Sequence, residues 1–487
     1  MSNLDARTRW LALYVLCLAS LMIVLDVTIV GVALPSIKAD LGFSDTSLAW
    51  VVNAYLLTYG GFLLLGGRLG DLYGHRRLFL IGISVFTLAS LVCGLATSQG
   101  FLVVARGVQG LGGAVASAVS LSLMVNLFTE PGERAKAMGI FGFVAAGGGS
   151  IGVLLGGILT DTINWHWIFL VNFPIGVAVV LLSLKLLPEA HVAPASRRLD
   201  VAGAITVTAA LMIAVYAIVN ANQKGWTSAQ TLGLLAVALT IFAVFLVIEV
   251  RVKSPLVPLA LFKLRNLATA DVVGVLWAAS MFTWFFLSAL YMQLVLGYSP
   301  LQIGLAFLPA NLIMMVFSIG LSAKLVMRFG FRAPLATGLG LAAAGLLLFT
   351  RAPVDGSFVV DILPSMILLG IGAGMAFNPV LLAAMSDVAP EESGLASGII
   401  NTSFMMGGAL GLAVLASVAD SRTNHLLDSG DDLASALTGG YHVAFFVGAL
   451  FAASAAAIGG LLLRNAPMPG HEAAPEAEPA TAAGHGS

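Results

Sequence analysis

Residues 10–33 read WLALYVLCLASLMIVLDVTIVGVA, with Asp26 the one charge in the run. About 20 mostly apolar residues cross the hydrocarbon core of a bilayer, so this segment has the length and composition of a membrane span. Arg7 and Arg9 ahead of it imitate the start of a secretory signal. A signal's apolar region is only about 7–15 residues long, however, so the run is read as a first helix that is retained. The same test places further spans at 48–68, 78–97, 100–128, 134–160, 166–187 and 200–220, then at 228–250, 268–295, 302–326, 333–351, 358–385, 393–419 and 441–464. Fourteen spans are predicted, and an even number leaves both termini on one side. Composition agrees: of 487 residues 59% are hydrophobic and 10% charged, with a mean hydropathy of +0.99, whereas soluble domains carry about 25% charged residues.

The basic residues set the orientation, because cytoplasmic flanks of membrane helices retain Lys and Arg. Of the 23 Lys and Arg, only Lys38, Lys224, Arg351 and Arg422 fall on one side and Arg106 lies within a span. All the others gather on the side of the termini, which is thereby predicted to be cytoplasmic. Two basic, proline-bearing stretches, Pro188 to Arg198 and Arg251 to Asn266, divide the chain as six, two and six helices. The expected architecture is an all-α membrane protein: an N-terminal six-helix bundle over 1–187, an inserted helix pair with its linkers over 188–266, and a C-terminal six-helix bundle over 267–466. The remainder, 467–487, is Ala, Pro, Glu and Gly without apolar periodicity and is predicted to be disordered.

Several function classes are excluded at this level. A net charge of -1 offers no electrostatic footprint for nucleic acid. Cys17 and Cys93 lie inside apolar segments, where thiols behave as small hydrophobes and spell out neither a disulfide framework nor a metal site. No Gly-x-x-x-x-Gly-Lys-Ser/Thr phosphate loop occurs, and no nucleophile is paired with a base, so neither an ATP motor nor an enzyme is expected and no cofactor is called for.

An internal repeat points to transport. After the second span of the first bundle stands Gly67 to Arg76, GRLGDLYGHR, and after the second span of the last stands Ala323 to Arg332, AKLVMRFGFR. Aligned on Gly74 and Gly330, they share a basic residue, a leucine, an aromatic before the glycine and an arginine two places after it. Any short cytoplasmic turn collects Gly and Arg, but matched position in matched bundles favours duplication. Duplicated bundles are how many transporters build a central site between halves that rock against each other.

With these residues in view, the chain resembles the major facilitator superfamily, and within it the fourteen-spanner drug:proton antiporters. Leu25 to Pro35, LDVTIVGVALP, is similar to that branch's first-helix signature, with Gly31 at its usual Asn position. Gly67 to Arg77 resembles the loop motif between helices 2 and 3, with Leu72 and His75 in place of basic residues. Leu102 to Gly113, LVVARGVQGLGG, is similar to the fourth-helix motif. Helix 5 carries Gly139, Gly148, Gly152, Gly156 and Gly157 at the spacing of the antiporter motif, with Val153 where a proline is customary. Trp165 to Pro174 and Gly394 to Thr402 resemble the sixth- and thirteenth-helix motifs. The resemblance implies a multidrug efflux transporter in the bacterial inner membrane, monomeric, with protons, the bilayer and small organic molecules as its partners; a dedicated metabolite or siderophore exporter is the alternative.

Individual residues then acquire expected roles. A carboxylate in mid-span costs about 2.5–3.5 kcal/mol on insertion scales, so Asp26 needs a proton or a partner; it reads as a proton carrier or as a structural hydrogen bond. Arg106, always charged, must meet a carboxylate or backbone carbonyls, and the resemblance implies a part in proton transfer beside Asp26. Asp71, with Gly67, Gly74 and Arg76, is expected to latch onto the start of helix 13 near Ser393, since helix N-termini favour anions. The strip Gly148, Gly152, Gly156 and Gly157 lets another backbone approach closely, read as a seal between the bundles or as plain packing. Trp50, Asn53, Tyr55, Tyr59, Trp277, Met281 and Trp284 are the candidates for a substrate pocket, because aromatics and Met suit apolar or cationic planar molecules.

Overall fold

The computed structural model of the chain describes residues 5–128, 130–188, 200–252, 255–317, 321–388 and 393–464. The predicted tail, 467–487, and all but one residue of the first basic linker lie outside the described residues. The described residues form helices throughout: α1 (Ala6–Leu41), α2 (Asp45–Tyr73), α3 (His75–Gly94), α4 (Gln99–Leu127), α5 (Pro131–Thr162), the short α6 (Trp167–Leu170), α7 (Asn172–Leu186), α8 (Val201–Lys224), α9 (Ala229–Arg251), α10 (Arg265–Leu290), α11 (Pro300–Val316), α12 (Ser322–Phe329), α13 (Arg332–Phe349), α14 (Leu363–Met385), α15 (Ser393–Asp428) and α16 (Leu433–Leu462).

Twelve stretches within these helices are long and apolar enough to cross a membrane, and two shorter apolar ones, Ile151–Thr162 and Pro300–Val316, stand beside them. Among the described residues each predicted segment overlaps helix, twelve of them at membrane-spanning length, and the boundaries differ where local chemistry decides them. The expectation that helix 1 ends near residue 33 is corrected: α1 continues through Pro35 to Leu41 and stops at Gly42, whose φ of 70° makes a left-handed cap donating to the Lys38 carbonyl. A proline in a membrane helix is tolerated because neighbouring helices re-satisfy the freed backbone groups. Likewise α15 extends well past the expected 419, to Asp428.

The sequence repeat is also a repeat of local structure. Ser44 caps α2 in a reciprocal box with Ser47, and Ser299 caps α11 in the same way with Gln302. Gly74 (φ 93°) and Gly330 (φ 71°) both turn the chain in the left-handed half of conformational space, where a side chain would be strained. The arginine two places beyond each glycine then donates to a carbonyl near the end of a later helix: Arg76 to Leu184 of α7 at 2.7 Å, and Arg332 to Gly460 of α16. Each glycine turn is thus tied to a later helix by the same device.

Packing follows the small residues. Helices α1 to α5 and α7 pack on one another, as do α10, α11 and α13 to α16, and the two sets meet where α2 lies on α15 and α5 on α11. Gly60 of α2 approaches the Thr402 carbonyl, and Gly157 of α5 approaches the Pro300 carbonyl of α11, where a Cβ would stand 3.2 and 2.8 Å from those oxygens. The hairpin α8–α9 lies outside this seam, with α8 touching α2 and α15 together. Thr208 of α8 occupies the space over Gly61, and Ser417 of α15 donates to the Ile218 carbonyl.

Candidate functional site

Asp26 sits twenty residues into α1 and is wholly buried, as are its partners. One carboxylate oxygen, Oδ2, accepts from Arg106 Nη1 at 2.5 Å. The other, Oδ1, accepts from Gln109 Nε2 at 2.7 Å and from Asn172 Nδ2 at 3.1 Å. Arg106 is held in turn: its Nε donates to the Val51 carbonyl at 3.0 Å, and Nη1 reaches Gln109 Oε1 at 2.6 Å. The Tyr55 ring lies 4.4 Å and the Phe169 ring 5.5 Å from the guanidinium carbon. Ser90 of α3 accepts from Asn172 and donates to the Phe169 carbonyl. Helices α1, α2, α3, α4 and α7 therefore converge on one buried ion pair in which both carboxylate oxygens are satisfied.

The local sequence builds this centre directly. Arg106 and Gln109 are three residues apart on α4 and so share a face. Gly110 and Gly112 let α4 close against α2 and α3, since a Cβ at either would stand 2.4 to 2.5 Å from backbone atoms of Tyr55 or Phe86. With Asp26 ionised, the pair is neutral as a whole, and breaking such a pair by removing one partner costs about 3–5 kcal/mol. Arg106 is also surrounded by the Val51 carbonyl, Gln109 Oε1 and two aromatic faces, all of which favour a cation.

The other sequence candidates are distributed as follows. Of the expected latch, Gly67 and Asp71 lie on α2, Gly74 ends it, and Ser393 opens α15; the side chains of Asp71 and Ser393 lie outside the described part of the structure. Arg76 binds α7 of its own set of helices. The glycines of the helix 5 strip meet different neighbours. Gly148, Gly152 and Gly156 face Leu21, Leu25 and Ile29 of α1; Gly157, about 100° further round the helix, is the one that faces the other set, with Gly304 of α11 against the Val153 carbonyl.

The aromatic candidates do not form one cluster. Tyr55 stacks on Tyr59 at 5.7 Å, and both belong with Trp50 to one apolar cluster. Trp277, Met281 and Trp284 belong to a second cluster, in which Phe285 stacks on Phe307 at 5.2 Å. Asn53, fully buried, has both amide atoms without a partner, and it shares the α2 face of Gly60 and Leu64 that meets α15. The indole N–H groups of Trp277 and Trp284 are buried and unpaired as well. Sequence reasoning did not single out Gln109, Asn172 or Ser90, although Gln109 and Asn172 stand within the motif stretches Leu102 to Gly113 and Trp165 to Pro174.

A chain of apolar helices that pack in two sets, with a buried ion pair and no strand among the described residues, is a polytopic helical membrane protein. Comparison places it further. The model of the Major Facilitator Superfamily matches residues 16–412, and the chain belongs to that superfamily of transporters. It is 39% identical to the puromycin resistance protein pur8 of Streptomyces alboniger, covering 91% of this chain and 89% of that one. It is 40% identical to the cephamycin export protein CmcT of Amycolatopsis lactamdurans, over 86% of each, and 38% identical to the multidrug resistance protein Stp of Mycobacterium tuberculosis, over 85% of this chain and 76% of that one. Among solved structures, an inward-facing bacterial homolog of the human lysosomal transporter Spinster superposes with a TM-score of 0.68 at 16% identity, covering 94% of this chain and 97% of that one, a likeness of fold.

Proposed function

We propose that the chain is a proton-driven antiporter that exports small apolar or cationic organic molecules, antibiotics among them, across a bacterial plasma membrane. The observation that carries the proposal is the Asp26–Arg106 pair, a titratable carboxylate with no exposure whose partner has neutral acceptors waiting. A proton arriving on Asp26 frees Arg106, and the freed guanidinium shifts the helices that hold it. Several relatives are named for antibiotic resistance or export, which supports this cargo class. The N–H groups of Trp277 and Trp284, the Asn53 amide and the Tyr55–Tyr59 stack are assigned to the cargo path. Gly67, Asp71, Gly74, Arg76 and Ser393 are assigned to the latch between the halves.

In this reading Ile151–Thr162, the end of the 32-residue α5, and Pro300–Val316 complete fourteen spans. The halves are 1–187 and 267–466, the α8–α9 pair is an insertion over 188–266, and both termini are cytoplasmic, as the basic residues require. Dye extrusion in everted vesicles tests the proposal. Extrusion should stop when the pH gradient is collapsed and should be lost in Asp26→Asn; extrusion indifferent to the gradient removes antiport. A second reading, a dedicated exporter of one compound, rests on relatives named for single antibiotics. A resistance profile confined to one chemical scaffold would select it.

A further inference from the structure

We propose that Asp200 and Glu249 share one proton, and that this proton holds the base of the α8–α9 hairpin closed. Asp200 caps α8, and Glu249 stands two residues before the end of α9. They are 6% and 3% exposed. Each commits one oxygen to the backbone: Asp200 Oδ1 accepts from Gly203 N at 2.7 Å, and Glu249 Oε2 accepts from Val257 N at 3.0 Å. The remaining oxygens, Asp200 Oδ2 and Glu249 Oε1, are buried with no donor among the described residues. They converge on the same point, for a Cβ on Gly203 would stand 2.5 Å from the first and 2.8 Å from the second. The two free oxygens therefore share one buried site beside Gly203.

Contact between two carboxyl groups is attractive only with a proton between them. Two buried carboxylates at that separation repel, so the pair titrates as a unit and keeps one proton. Of the charged groups on surrounding elements, Arg251 of α9 and Lys263 of the turn leading to α10 are exposed; Arg197, Arg198 and Lys253 lie outside the described residues.

The pair joins three passages of chain: the start of α8, the end of α9 and the segment at Val257 that runs toward α10. Because α8 rests on α2 and α15 together, the hairpin base braces the seam between the two sets of helices. The closed base holds a proton that the loosened base releases, so raising pH favours the loosened form. The basic residues assign this end of the hairpin to the cytoplasm, so the device reads cytoplasmic pH.

The test uses the full-length protein in lipid nanodiscs and needs neither cargo nor gradient, so its failure is separable from failure of the antiport reading. Infrared difference spectra are recorded between about pH 6 and about pH 10, limits well clear of ordinary carboxyl titration. In parallel, the distance between spin labels at the exposed positions Val201 and Val250 is followed. The wild type should lose a protonated-carboxyl band as pH rises, and the label distance should lengthen over the same range. In Glu249→Gln the amide donates to an ionised Asp200, so that band should be absent and the distance should stay constant. Asp200→Asn serves as the second variant, with the same expected outcome. A band and a distance titration unchanged in both variants, or a wild-type distance indifferent to pH, would overturn the proposal.

Discussion

At the scale of single residues, the Asp26 centre separates charge from its supports. Arg106→Lys keeps the charge but replaces a planar fork by a point cation, which cannot serve Asp26, Gln109 and the Val51 carbonyl together. A hydrogen bond to a charged group contributes about 1.5–3 kcal/mol, so gradient-driven export should fall about tenfold or more at equal expression. Vesicle uptake kinetics check this, and normal transport by the lysine variant would reduce Arg106 to a bulk charge. Gln109→Leu should lower the melting temperature of the purified protein, because it withdraws a donor from Asp26 Oδ1 and an acceptor from Arg106. The ion pair was legible in the sequence since a lone acid and a lone arginine in apolar spans must find partners. Gln109, Asn172 and Ser90 were not, because a neutral amide or hydroxyl in a helix carries no cost large enough to stand out.

At the scale of helices, two neighbouring glycines of α5 make opposite predictions. A side chain at Gly152 would meet the Thr28 hydroxyl and the Leu25 carbonyl within the first set, whereas one at Gly157 would meet Pro300 across the seam. Gly152→Leu should therefore destabilise the fold by about 1–3 kcal/mol, the usual cost of overpacking. Gly157→Leu should leave the melting temperature closer to wild type while impairing transport, since it obstructs contact between elements that move. Thermal melts and dye efflux on the same two variants decide the matter; equal melting losses would mean that both glycines serve packing alone. Twelve of the predicted spans fell on helices of membrane-spanning length because about 20 apolar residues are a strong signal. Helix ends were less legible, as the passage of α1 through Pro35 shows. Periodicity revealed that Gly148, Gly152 and Gly156 share a face, but it cannot say which neighbour occupies that face.

At the scale of the whole molecule, the repeat provides the frame in which one buried carboxylate can matter. The paired capping boxes, left-handed glycines and arginine ties recur in both sets of helices, and the family is built for alternation of two halves about a central path. The orientation drawn from the basic residues is checked by cysteine labelling in intact cells. Cysteines introduced at Tyr73 and Arg332 should be shielded from an impermeant reagent, and one at Arg351 should react. The repeat of the glycine turns was legible from the matched motifs. The position of α8 across α2 and α15 was not, because hydropathy marks a span without saying where it docks.

The most direct measurement is proton movement itself. In everted vesicles with an internal pH dye, adding a transported cation should release protons from the acidified lumen in wild type, and Asp26→Asn should abolish that release even where cargo still binds. Cargo-dependent proton release that persists undiminished in Asp26→Asn would contradict the account at its centre.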